Sequence, residues 1–129
     1  MTAASKPVLL AITELGGYPN FTSVYQQAGF IVESANSVRK AISLLKKIQP
    51  AVIVAEFNFQ SDFRDRTSSL ESLLAVVQRS PNTKVIVFYE KEHEHQLAKL
   101  TARFPIHESL VYPVDVAKLV DCLQQSDSV

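Results

Sequence analysis

Short apolar runs rich in β-branched residues alternate along this chain with stretches whose apolar positions recur at helical spacing. VLLAI (8–12) is apolar without alternation, the pattern of a strand covered on both faces. GGYPN (16–20) breaks the chain, and Phe21, Val24, Tyr25 and Ala28 then fall at i, i+3, i+4 and i+7 of a helix. Gly29 stands where that helix would be capped, and FIVESA (30–35) reads as an edge strand because polar residues interrupt it. Ser37 is placed to cap a second helix with Val38, Ala41 or Ile42, Leu45 and Ile48 inward. Pro50 marks its exit into AVIVAEF (51–57), the most apolar strand of the chain. QSDFRDRT (60–67) is a polar loop, and SSLE (68–71) has capping-box spacing ahead of Leu70, Leu73, Leu74 and Val77. SPNT (80–83) turns into KVIVFYE (84–90); Leu97, Leu100 and Phe104 mark a fourth helix, and SLVY (109–112) a fifth strand. Asp115 caps a last helix with Val116, Leu119, Val120 and Leu123 inward. Five repeats of strand then helix predict a parallel sheet with helices on both faces, joined by right-handed crossovers.

Composition narrows the class. A length of 129 residues suits one domain, taken as 1–124 with a short polar tail over 125–129. Hydrophobic residues at 47% are too many for a disordered segment. Lys plus Arg and Asp plus Glu both number 13, so no basic excess argues for nucleic acid. No apolar run approaches the roughly 18 residues of a membrane span. MTAASKP (1–7) lacks the hydrophobic stretch of a secretory signal, and the single Cys122 fits a reducing compartment; the cytoplasm is the expected location.

In an open parallel sheet, ligands sit beyond the carboxyl ends of the strands, near the point where strand order reverses. Those ends are Ile12, Thr13 and Glu14; Glu56, Phe57 and Asn58; Tyr89 and Glu90; and Tyr112 with Pro113. The three glycines, Gly16, Gly17 and Gly29, form neither a GxGxxG nor a P-loop pattern, so no nucleotide cradle is expected. At these strand ends the chain resembles the receiver domains of two-component response regulators, over nearly its whole length. AGFIVESANSVRKAISLLKKIQPAVIVAEF (28–57) resembles the family's stretch from first helix to third strand, where a proline precedes the apolar strand that ends in the phosphoaccepting Asp. VLLAITE (8–14) matches the first strand, KVIVFYE the fourth, and VYPVD (111–115) the fifth with its lysine–proline step. The resemblance implies a flavodoxin-like α/β fold, a doubly wound five-stranded parallel sheet of order 2-1-3-4-5 with five helices.

The same resemblance implies a degenerate site. It places Glu56 on the phosphoacceptor, and the metal-holding acidic pair on Ile12 and Thr13, or on Thr13 and Glu14 after a one-residue shift. Mg²⁺ requires hard oxygen ligands, and Ile12 offers none. Tyr112 stands for the lysine, Tyr89 for the small hydroxyl residue and Ser109 for the aromatic switch, while Tyr112–Pro113 is the step that is commonly cis in that family. Receiver phosphorylation depends on positioning and charge neutralisation. A pseudo-receiver without phosphoryl chemistry is therefore expected: not an enzyme, with no cofactor and no metal. Glu56 reads as a strand-end carboxylate, solvated or bonded to a loop N–H or the hydroxyl of Tyr89 or Tyr112, ahead of a fixed active-like state.

The expected role is protein–protein interaction in signalling or regulation. The face of the fourth helix, fifth strand and fifth helix (outer sides of 93–104, 109–112 and 115–124) is the expected contact, including a homodimer. A small-ligand sensor near Tyr89 and Tyr112, and a receiver phosphorylated by an unusual route, are the alternatives. EKEHEHQ (90–96) reads as a solvated helix start rather than a metal site, since His93 and His95 diverge on a helix. His107 is expected to be exposed and Cys122 to be an inert thiol. Phe57, Phe59 and Phe63 are expected to cover the vacated pocket, ahead of anchoring a partner.

Overall fold

In the computed structural model, five parallel strands run in the order β2-β1-β3-β4-β5, as the alternation of runs predicts. The structure describes residues 7–13, 21–57, 70–79, 83–104, 106–112 and 114–125. The strands are β1 (Val8–Ile12), β2 (Ile31–Ala35), β3 (Val52–Glu56), β4 (Lys84–Tyr89) and β5 (Glu108–Val111). The helices are α1 (Thr22–Gln27), α2 (Val38–Leu45), α3 (Leu70–Val77), α4 (Glu94–Arg103, after a 3₁₀ turn at Lys91–His93) and α5 (Val116–Gln125). The fifth strand starts one residue earlier than SLVY implies and stops before Tyr112, whose N–H donates to the Tyr89 carbonyl at 2.7 Å.

Local chemistry sets the ends of these elements. The Ser37 hydroxyl accepts the Lys40 N–H at 3.1 Å, capping α2 as its position predicts. Asp115 starts α5, its Oδ1 accepting the Ala117 N–H at 2.9 Å and its carbonyl the Leu119 N–H at 3.0 Å. Past the end of α1, Gly29 takes a φ of +99°, the left-handed turn that lets Phe30 enter the sheet. Thr83 is buried, and its hydroxyl donates to the Pro50 carbonyl at 2.9 Å. That bond joins the loop before β3 to the start of β4.

The sheet divides two cores. On one face Leu9, Val52, Val54, Ile86, Phe88 and Leu110 pack against Phe21 and Tyr25 of α1 and Leu119, Cys122 and Leu123 of α5. On the other, Leu10, Ile12, Ile53, Ala55, Phe57, Val85 and Val87 pack against α2, α3 and α4. Burying each such aliphatic side chain contributes about 1.5–3 kcal/mol before ordering costs, so the central strands dominate the energetics. One inward assignment changes. Val116 is 45% exposed, because the first turn of α5 lies beyond the sheet's cover. Cys122 lies in the core, and Lys84 Nζ donates to its carbonyl at 3.1 Å, tying α5 to β4.

Candidate functional site

β3 alternates sides, so Val52 and Val54 put Glu56 on the α1–α5 face at the carboxyl end of the sheet. The register pairs Glu56 with Phe88 of β4, and the Phe57 N–H donates to the Phe88 carbonyl at 2.8 Å. Phe88 in turn meets Phe21 edge-on, with ring centroids 5.7 Å apart, and Phe21 meets Tyr25 at 6.4 Å in the same geometry. Glu56 lies on the same face of the sheet as these rings, beside Phe88. Glu56 is only 5% exposed, so the expectation of a solvated strand-end carboxylate is corrected: the side chain is sealed in. Burial pushes the Tyr25 phenol up from its ordinary value, and the negative charge of Glu56 pushes it further.

Tyr89 does not join this group. It follows Phe88 by one residue and packs on the opposite face, among the side chains under α2, α3 and α4. Burial first, then the charge of the nearby Glu94 and hydrogen bonding to it, raises the phenol's pKa. The expectation of a Tyr89–Glu56 bond is therefore corrected, since Tyr89 lies on the face away from Glu56. The residue beside Glu56 on β4 is Phe88, which the sequence reading passed over. The signal was available in the two-residue period: counting back from Glu56 and Phe88 along paired strands puts both with Val54 and Ile86.

Ile12 is buried on the α2–α3 face, opposite in direction to Glu56. Thr13 lies just past β1, its N–H donating to the Ala35 carbonyl at 3.0 Å, and is exposed. Ser109 sits in β5 opposite Val87, and Tyr112 follows the strand, 43% exposed. Glu14, Asn58, Phe59, Phe63 and Pro113 lie outside the described residues. Phe57, expected as a cover for the pocket, is buried in the other core, because alternation after Ile53 and Ala55 turns it there. Phe21, Tyr25, Phe30 and Phe88 are the aromatic residues that pack on the Glu56 face among the described residues.

Outside this site, Glu90, Glu92 and His93 bring one donor atom each within 4.8 Å of one another, with both carboxylates exposed. Glu94 lies in the first turn of α4, where the helix dipole favours an acid. His107 is exposed, yet its ring Nδ1 accepts the Val85 N–H at 3.1 Å while its backbone N–H donates to the Val85 carbonyl at 3.0 Å. Burial, then the Lys84 charge, lowers its pKa. The Cys122 thiol is raised, chiefly by burial and then by Glu108, as befits an unreactive core thiol. Among the described residues no helix is long and apolar enough to cross a membrane.

Neither a family model nor a curated protein matches the chain. Solved structures do. A CheY-like response regulator receiver domain from Methylobacillus flagellatus superposes with a TM-score of 0.74 at 17% identity, covering 95% of this chain and 100% of that one. The signal receiver domain of an HD domain-containing protein from Pseudomonas fluorescens gives 0.72 at 18%, covering 95% and 94%. The chemotaxis response regulator CheY4 of Vibrio cholerae gives 0.70 at 20%, covering 95% and 99%. The chain has the flavodoxin-like fold of these receiver domains.

Proposed function

We propose that the chain is a receiver-like signalling domain that works through protein contacts and catalyses no phosphoryl transfer. The observation that carries this reading is the packing at the end of β3. Glu56 holds the place that the resemblance gives to the phosphoacceptor, and Phe88 stands beside it, packed edge-on against Phe21. A phosphoryl group arriving there needs room, a metal and a cation. Ile12 supplies no oxygen ligand and points to the other face, and Tyr112 brings no positive charge. The longer Glu side chain, buried beside Phe88, is then a fixed part of the core.

Contacts fall instead to the face of α4, β5 and α5. Val111, Tyr112 and Val116 are 40%, 43% and 45% exposed and lie together in sequence where β5 hands over to α5. Aromatic and aliphatic side chains of this kind anchor protein interfaces. The test is direct. Beryllofluoride or acetyl phosphate added with Mg²⁺ leaves the amide spectrum unchanged around residues 12, 56, 88 and 112. An acyl phosphate detected on Glu56 by mass spectrometry sinks the reading.

A further inference from the structure

The open edge of the sheet carries a second feature, on the far side of the molecule from β5. A cleft of about 330 Å³ lies between β2 and α2, lined by Ser34, Lys40, Ser43, Leu44 and Lys47. Lys40, Ser43 and Lys47 follow at i, i+3 and i+7 and so share one side of α2 and its exit. Leu44 is half-buried against the core and supplies an apolar floor. The backbone of β2 adds to the lining. The Ile31 N–H donates to the Pro7 carbonyl, and the Ala35 carbonyl accepts from Thr13, so the odd-numbered groups of β2 face β1. In a parallel ladder the alternate groups, those of Val32 and Ser34, then turn to the open edge.

Basic residues predominate along α2 and its exit. Arg39, Lys40, Lys46 and Lys47 fall within residues 38–50, which contain no acid, although the whole chain is formally neutral. The neighbouring acid, Glu33, is not part of the cleft's lining. Leu44 and the lysine stems give the cleft a mainly apolar lining, and Lys40, Lys47 and Ser43 are the residues beside it that carry cationic or hydroxyl groups. From this we infer that the cleft binds a small organic anion: a carboxylate or phosphate head held by Lys40 and Lys47, with an apolar body on Leu44 and the lysine stems. Lysine acts as a point charge and accepts either head group. This inference stands apart from the reading of the Glu56 site.

The experiment is a titration of the whole ¹⁵N-labelled protein with phenyl phosphate, with benzoate and with uncharged benzyl alcohol. Both anions produce saturable amide shifts at Ser34, Ser43 and Leu44, with a Kd of about 1 mM or tighter for the better of the two. The ratio of the two affinities identifies the preferred head group. Lys40→Gln with Lys47→Gln, both at exposed positions, weakens binding at least about tenfold while the melting temperature holds. Absence of saturation, equal binding of benzyl alcohol, or undiminished affinity in the double variant overturns the proposal.

Discussion

His107 shows how one side chain can make an exposed position matter. Its Nδ1 lone pair accepts the Val85 N–H, and a protonated ring has no lone pair to offer there. Its folded pKa is lowered, by burial and then by Lys84, below the 6.5 of the unfolded chain. On acidification the unfolded chain therefore takes up this proton first. The stabilisation is complete above about 6.5 and is lost as pH falls through the folded value. His107→Asn keeps an acceptor but cannot titrate. Melting temperatures measured from pH 8 to 5 should fall more steeply for the wild type than for this variant; parallel curves would remove the assignment. Glu56 and Phe88 teach the companion lesson about neighbours. A residue's face follows from parity within its strand, but its partner follows from register, and a slip of one position reverses every assignment. Tyr89 was the natural sequence match for a hydroxyl beside Glu56, and the pairing found is one residue earlier.

Elements were largely legible because their ends are chemically marked. Ser37, Pro50 and Asp115 stand where the bonds or buried turns require them, and β3 reads as an unbroken apolar run because helices cover both of its faces. Val116 escaped because periodicity describes the whole of a helix, whereas the sheet covers only part of α5. Phe57 escaped because a polar loop follows it, although the alternation of β3 already fixed its direction. A Cβ added at Gly29 meets nothing within 4 Å, so the cost of substitution there lies in the backbone conformation alone. Gly29→Ala should lose about 1–2 kcal/mol in urea unfolding, and Gly29→Asn distinctly less, since Asn tolerates the left-handed region. Equal losses would point to a packing defect that the open space around the residue does not offer.

At the scale of the whole molecule, the sheet order and two-layer cover follow from the alternation of strand and helix signals, with strand order drawn from family resemblance. The site was legible in its location and not in its surroundings: an open parallel sheet says where a ligand sits, while only register says that Phe88 stands beside Glu56. Function on the proposed reading belongs to surfaces. The exposed Val111, Tyr112 and Val116 predict reversible self-association through the α4–β5–α5 face. Sedimentation velocity over rising concentration should show a dimer that Tyr112→Ser with Val116→Ser returns to monomer. A wild-type protein that stays monomeric at high concentration would exclude this homodimer.

The edge-on pair of Phe21 and Phe88 bears on history as well as on packing. Each ring braces the other across two elements, α1 and β4, that sit more than sixty positions apart in the chain. Exchanging Phe88 alone for a small hydroxyl residue leaves Phe21 leaning into a hole, and trimming Phe21 alone leaves Phe88 beside the acid. Either single step sacrifices stability and returns no chemistry. On the proposed reading, a lineage carrying this pair would gain a phosphate relay only through simultaneous changes, which selection acting one substitution at a time does not reward.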